Sequence, residues 1–209
     1  MKLKPEVVDA GFSVAKFRDD VDKATARMKM PKGVATKKQT ITAIEAEWII
    51  PEKPIAGKAL LYIHGGGFIS GSCKTHRMHV AKFASGCQLK SLVFDYRLAP
   101  EHPFPAALDD CVAVYNWLLE DGYKPDDIII GGESAGGTLT LSLLLALKEQ
   151  GIGLPKASFA ISPVTDLRCL ADSFKYNAKN DIAPMGSGMY GRNFTSLIMN
   201  QPCLFYHLN

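Results

Sequence analysis

A serine set among glycines, in residues 131–137, is the first feature of this sequence that indicates chemistry. The segment reads Gly131-Gly132-Glu133-Ser134-Ala135-Gly136-Gly137 and contains the pattern G-x-S-x-G. It follows the apolar run 128–130 and precedes an apolar stretch of helical length, which is the strand–turn–helix context that gives the pattern its meaning. In so sharp a turn the positions two before and two after the serine must be small, and both are glycine. We therefore interpret Ser134 as an exposed nucleophile at the positive end of the following helix.

A glycine-rich turn can instead bind the phosphate of a nucleotide. The sequence argues against that alternative, because G-x-G-x-x-G is absent and no lysine follows the glycines as a phosphate loop requires.

A second run of glycines could bind a negatively charged oxygen through its backbone N–H groups. Gly65-Gly66-Gly67 follows the apolar run 59–63 and His64, which lies 70 residues before Ser134. Three glycines let backbone N–H groups turn toward an oxyanion without obstruction, so we predict an oxyanion-binding loop, with a merely flexible turn as the alternative. We expect His64 and Gly65 to brace this loop, His64 by hydrogen bonding rather than as a general base.

A third polar segment, residues 95–107, joins prolines to charged side chains. Nothing in its chemistry demands catalysis, so we predict structural roles for Asp95, Arg97 and Glu101.

These segments together resemble the hormone-sensitive-lipase-like family of α/β-hydrolase esterases and lipases. Residues 64–68, 95–110 and 132–137 appear in the family's order, residues 162–167 are similar to its next strand end, and the similarity runs from about residue 59 to 167. The resemblance implies Ser134 as nucleophile and the N–H groups of Gly66, Gly67 and Ala135 as the oxyanion hole. It also implies hydrolysis of small carboxylic esters, often short-chain ones, without a metal or an organic cofactor.

A base and an acid for Ser134 are harder to find. A serine needs a base to take its proton, and in α/β-hydrolases the chain order is Ser, then Asp or Glu, then His. His207 is the sole histidine after Ser134 and lacks the motif of the family histidine, so we do not expect it to be a working base. None of the intervening acids fits the family's acid position; they are Glu149, Asp166, Asp172 and Asp181. The resemblance implies that the acid and the histidine lie at the ends of two further strands, and the 75 residues after Ser134 leave no room for both, so we hypothesise a shortened version of a longer esterase.

The elements that must position these residues follow from alternating apolar runs. Strands that are apolar on both faces and separated by helices indicate an α/β fold with a mostly parallel sheet. The family resemblance implies that this is an α/β-hydrolase fold, incomplete on its C-terminal side. We predict strands at 40–50, 59–63, 92–94, 128–130 and 157–161 and helices at 5–30, 75–87, 105–121 and 137–149. The resemblance further implies an N-terminal helical cap segment (1–40) and a partial hydrolase core (41–181), and we predict that the remaining residues form an atypical tail (182–209).

Composition bounds the function. The chain has 209 residues, a net charge of +3 and no basic cluster, which argues against a nucleic-acid partner. No apolar run is long enough to span a membrane, and the five cysteines lack paired metal-site spacing, so we expect a soluble cytoplasmic protein with reduced thiols and no bound metal.

Two functions remain open from the sequence. The first is a serine carboxylesterase acting on short-chain acyl esters. The second is a catalytically impaired homologue that binds a small molecule or has no independent activity. An exposed sheet edge would also predict low solubility or a homodimer.

Overall fold

The computed structural model describes residues 13–166 and 172–177. Its centre is a six-stranded sheet in the order β1-β2-β4-β3-β5-β6. The strands are β1 (Val34–Ile41), β2 (Ile44–Pro51), β3 (Ala59–Ile63), β4 (Lys90–Phe94), β5 (Ile128–Glu133) and β6 (Ala157–Ile161). The helices are α1 (Val14–Thr25), α2 (Cys73–Cys87), α3 (Ala106–Glu120), α4 (Ala135–Glu149) and α5 (Asp172–Asn177), and a short 3₁₀ turn spans Pro125–Asp127.

The four strands β4, β3, β5 and β6 pair in parallel, and one helix connects each strand to the next along the chain. Parallel strands end at the same edge of a sheet, so the loops after β3, β4 and β5 lie side by side. The sheet order places β3 between β4 and β5, so the predicted oxyanion loop after β3 is next to the serine turn after β5. The predicted α/β fold is confirmed.

Apolar side chains are buried on both faces of the sheet at β3 and β4, as the sequence predicted. The same prediction is wrong for β6, which has no buried residue and whose Ile161 is exposed, because β6 is the edge strand in the described part of the sheet. All five residues of β3 are buried, and alternate ones face opposite sides. Leu61 and Ile63 pack with α3 and α4, whereas Leu60 and Tyr62 pack with α2. Burial on both faces holds β3 and its neighbours rigidly, which is what a loop at their ends needs in order to be pre-organised.

The N-terminal part differs from the prediction. The single strand expected at 40–50 is a hairpin of β1 and β2, which turns at Thr42-Ala43. Most of β1 is exposed and its sequence, Val34-Ala35-Thr36-Lys37-Lys38-Gln39, has no apolar face, so periodicity could not reveal it. The helix predicted over 5–30 covers only Val14–Thr25 in the described part, and Met28 is half exposed beyond its end. Residues 1–12 lie outside the described residues.

The predictions on cysteines, domains and oligomeric state are tested only in part or not at all by the described residues. Cys73 and Cys111 are buried free thiols and Cys87 is an exposed one, while Cys169 and Cys203 lie outside the described residues. The domain division stays a prediction, with its first boundary inside β1 and its tail outside the described part. In residues 13–166 and 172–177 no helix is long and apolar enough to cross a membrane. The homodimer stays a prediction as well.

Candidate active site

Ser134 occupies the turn between β5 and α4. Its φ is 53° and its ψ is −122°, a backbone conformation that is costly for a residue with a Cβ. The surroundings enforce it, because Ser134 N–H donates to the Ile161 carbonyl at 2.9 Å and Thr138 N–H donates to the Ser134 carbonyl at 3.0 Å. The first bond ties the turn to the end of β6, and the second begins helix α4.

Two glycines make this turn possible. A Cβ at Gly136 would lie 2.0 Å from the Ile63 carbonyl oxygen and 2.5 Å from that of His64. A Cβ at Gly132 would lie 2.5 Å from the Gly136 carbonyl oxygen. The first turn of α4 therefore lies directly against the end of β3, and no larger residue fits at either position.

The glycine loop after β3 is folded tightly upon itself. Gly66 and Gly67 have φ values of 125° and 64°. The Gly66 carbonyl accepts from Ser70 N–H at 3.0 Å and from Ser70 Oγ at 2.8 Å. A Cβ at Gly66 would come within 2.1 Å of the Ser70 carbonyl oxygen, so glycine is required there.

His64 is completely buried beneath this loop. Its Nδ1 lies 2.8 Å from the Gly65 carbonyl oxygen, its ring stacks on Tyr96 at 4.2 Å, and the Tyr96 hydroxyl donates to the His64 carbonyl at 2.9 Å. Burial lowers the pKa of His64 to about 3, so the ring is neutral at physiological pH. These contacts support the bracing role and give no support to the alternative of a general base.

Glu133 and His76 were not singled out from the sequence. The Glu133 carboxylate oxygen Oε1 accepts from Gly65 N–H at 2.7 Å and lies 2.9 Å from His76 Nε2. The available signal was one acidic residue in a turn otherwise made of glycine, alanine and serine.

The segment after β4 has the structural contacts expected of it. The Asp95 carboxylate accepts from Cys73 N–H, and Arg97 donates its backbone N–H and its guanidinium to the buried Asp110. Glu101 forms a two-pronged pair with Arg18 of α1, at 2.8 and 2.9 Å.

Arg18 joins three parts of the molecule. Its Nε donates to the Ile69 carbonyl at 2.6 Å, and its Nη2 donates to the Ala99 carbonyl at 2.9 Å. Hydrogen bonding from Arg18 lowers the pKa of Glu101 to about 2. Helix α1 is thus fastened to the chain just after the glycine loop.

No base is brought to Ser134 by the described part of the chain. Within residues 13–166 and 172–177, no side chain forms a hydrogen bond with Ser134 Oγ, and that hydroxyl does not cap α4. Glu149 lies at the far end of α4, Asp166 follows β6, and Asp172 begins α5. His207 and Asp181 lie outside the described residues. The same part of the chain holds no cluster of three or more His, Cys, Asp or Glu side chains that could bind a metal.

Comparison with known proteins agrees with this geometry. A family model described as the alpha/beta hydrolase fold matches residues 60–199. An esterase of Acinetobacter venetianus is 44% identical over 126 residues, which are 60% of this chain and 42% of that protein. An acetyl-hydrolase of Streptomyces hygroscopicus is 38% identical over 151 residues, which are 72% of this chain and 49% of that protein.

Solved structures extend the similarity over almost the whole chain. The esterase EstE5, soaked with p-nitrophenyl butyrate, is 39% identical with a TM-score of 0.83, covering 92% of this chain and 64% of EstE5. An esterase of the bacterial hormone-sensitive lipase family is 32% identical with a TM-score of 0.85, covering 95% of this chain and 66% of that esterase. The chain thus spans somewhat under half the length of these curated relatives and about two thirds of these solved esterases.

Proposed function

This chain belongs to the α/β-hydrolase family and, within it, to the hormone-sensitive-lipase esterases, and from that membership we propose that it is a serine carboxylesterase acting on short-chain acyl esters. The observation that carries the proposal is the strained turn at Ser134 packed directly against the glycine loop 65–67. A nucleophile at a helix N-terminus beside backbone donors is the arrangement that acyl transfer requires.

The reaction follows from these parts. Ser134 Oγ attacks the ester carbonyl carbon while its proton passes to a base, and the carbonyl oxygen becomes an oxyanion. The N–H groups of Gly66, Gly67 and Ala135 hold that oxyanion in this proposal. Loss of the alcohol, which takes up the proton, leaves an acyl-serine, and water then releases the carboxylic acid.

The identity of the base is the open element of this mechanism. His64 is excluded by its burial, its neutral ring and its contact with the Gly65 carbonyl. His207, the only histidine after Ser134, remains the candidate to test.

One observation favours a second function. Because no described side chain contacts Ser134 Oγ by a hydrogen bond, the site as described is also suited to binding a small ester or acid without cleaving it. The loop and the turn would then supply donors for a ligand carbonyl or carboxylate.

Hydrolysis of p-nitrophenyl acetate and butyrate by the purified chain separates the two functions. Ser134→Ala is the test variant, and Ser142→Ala, on the same helix α4, is the control. For an esterase, turnover disappears in Ser134→Ala and persists in the control. Labelling with a fluorophosphonate, located by mass spectrometry, reports the nucleophile independently of turnover.

Equal, near-background rates in all three proteins, together with saturable binding of the ester, would support the binding module instead. The comparison with Ser134→Ala is essential, because binding and an oxyanion hole alone give roughly 10³–10⁴-fold acceleration over water in serine proteases. If turnover depends on Ser134, His207→Gln is the next variant, and unchanged activity in it would remove His207 from the mechanism.

A further inference from the structure

We propose that Glu133 is a positioning residue that fixes the oxyanion-binding loop against the nucleophile turn, and that His76 holds the Glu133 carboxylate in place. This inference rests on the proposed esterase function for its catalytic consequence. Its structural content, the fixing of the loop, is independent of that function.

The position of Glu133 in the chain is the first argument. It is the last residue of β5, paired with Ile161 of β6, and it directly precedes Ser134. Its backbone is therefore fixed by the sheet, while its side chain reaches the loop after β3. A single residue thus connects the turn that carries the nucleophile with the loop that carries the predicted oxyanion donors.

The contact to the loop is specific. Glu133 Oε1 accepts from Gly65 N–H at 2.7 Å, a short bond of the charge-assisted kind. A Cβ at Gly65 would lie 2.9 Å from this same oxygen and 2.9 Å from the Glu133 carbonyl oxygen. The loop backbone therefore lies directly on Glu133, and glycine at position 65 is what permits the approach.

His76 completes the arrangement from helix α2. Its Nε2 is 2.9 Å from Glu133 Oε1, and its Nδ1 is 2.9 Å from Thr75 Oγ1. Thr75 is itself fixed, because it forms the capping box of α2 with Ser72. The imidazole is therefore held at both nitrogens, and it presents one of them to the carboxylate.

The charge on Glu133 is maintained despite burial. The Glu133 and His76 side chains are only 19% and 20% exposed. Burial raises the pKa of Glu133, but His76, Tyr62 and the Gly65 N–H together outweigh that effect and hold the pKa below its usual value. An ionised acceptor binds Gly65 N–H more strongly than a neutral one, so the pair keeps the loop in one conformation.

The catalytic consequence concerns the transition state. The peptide held at Gly65 sets the direction of the following N–H groups of Gly66 and Gly67. Those donors act only when an oxyanion forms, so a loosened loop lowers kcat and leaves KM nearly unchanged. We expect kcat to fall about 10- to 100-fold, less than the 10²–10³-fold that follows outright removal of an oxyanion donor.

The experiment uses three variants and one control. Glu133→Gln keeps the shape and one acceptor but removes the charge, Glu133→Ala removes the contact, and His76→Gln removes the partner. His102→Gln, at an exposed position, is the control. For each protein, kcat and KM for p-nitrophenyl butyrate are measured per fluorophosphonate-titrated Ser134, and amide hydrogen exchange is measured over residues 64–70.

We expect the largest kcat loss in Glu133→Ala, smaller losses in Glu133→Gln and His76→Gln, nearly constant KM, and faster exchange in residues 64–70 in all three. Unchanged kcat and unchanged exchange in Glu133→Gln and His76→Gln would overturn the proposal, as would a rise confined to KM. If Glu133→Ala does not fold, Glu133→Gln and His76→Gln still test the positioning role. If the unaltered chain hydrolyses no ester, the exchange data still test the positioning role while the proposed function fails by itself.

Discussion

Acid should destabilise this protein through His64. The side chain is fully buried, and its pKa is lowered by burial to about 3. The neighbouring His76 lowers this pKa further, while the Gly65 carbonyl and Glu133 oppose the shift. In the unfolded chain the same imidazole has a pKa of about 6.5.

The sign follows from proton binding. Below pH 6.5 the unfolded chain takes up a proton at position 64, and the folded chain does not until the pH approaches 3. Protonation therefore favours the unfolded state throughout that window. The free energy of unfolding is highest above the unfolded pKa and falls as the pH falls.

The loss of stability at pH 5 hardly depends on the exact pKa of His64 in the folded chain. At pH 5 the folded ring remains neutral for any pKa near 3, so the unfolded pKa alone sets the loss. Since pH 5 lies about 1.5 units below the unfolded pKa, protonation stabilises the unfolded chain by about 1.36 kcal/mol for each of those units. We expect His64 to remove about 2 kcal/mol of stability between pH 8 and pH 5.

The assay is urea unfolding followed by the fluorescence of Trp48 and Trp117, at pH 5, 6, 7 and 8. The chain is compared with His64→Gln, which cannot titrate, and with His102→Gln, which removes an exposed histidine. Other titrating groups cancel in the comparison. The stability of His64→Gln should fall by about 2 kcal/mol less than that of the unaltered chain over this range.

Parallel pH profiles for the unaltered chain and His64→Gln would refute the reasoning. They would mean that the folded ring ionises near its normal pKa, and hence that water or a charge reaches it. Nitrogen-15 spectra of histidine-labelled protein give an independent check, because His64 should keep neutral-ring shifts down to pH 5.

Three further predictions concern contacts that hold the elements around the site together, measured by unfolding or proteolysis. Gly136→Ala should cost about 3 kcal/mol or more in urea unfolding, because its Cβ would meet the carbonyl oxygens of Ile63 and His64. Its control is Gly86→Ala in α2, where a Cβ meets nothing and stability should rise by up to about 1 kcal/mol. Asp110→Asn should cost about 2 kcal/mol by the same assay, since it weakens the hydrogen bonds from Arg97, and an unchanged midpoint would contradict this. Arg18→Gln should speed proteolysis within α1, because α1 has no buried residue and is held by the hydrogen bonds of Arg18. An unaltered cleavage rate would show that Arg18 does not anchor α1.

The elements around the site were predictable because their signals are local. Glycines at 132 and 136 on either side of Ser134 specify the turn before any tertiary contact is known. Apolar runs such as 59–63 and 128–130 reveal strands buried on both faces. These strands then bring the two glycine segments to one edge, as topology requires.

What the sequence did not reveal depends on partners distant along the chain. Strand β1 has no apolar face of its own and forms because β2 supplies its hydrogen bonds. The Glu133–His76 contact joins residues 57 apart, and nothing in either local segment predicts it. Arg18 likewise reaches carbonyls 51 and 81 residues away.

Under the proposed esterase function, the described residues account for one of the two contributions that serine esterases combine. In that proposal, the paired strands β3 and β5 position the nucleophile and the backbone donors, so electrostatic stabilisation of the oxyanion depends on the ends of these two strands. Proton removal from Ser134 is a separate contribution of about 10²–10⁴-fold. The ratio of turnover between the chain and Ser134→Ala therefore measures more than the presence of a nucleophile. A ratio far above 10² would show that a base reaches Ser134 in solution. A ratio near unity would mean that the oxyanion-binding half of the site serves recognition of a carbonyl or carboxylate ligand.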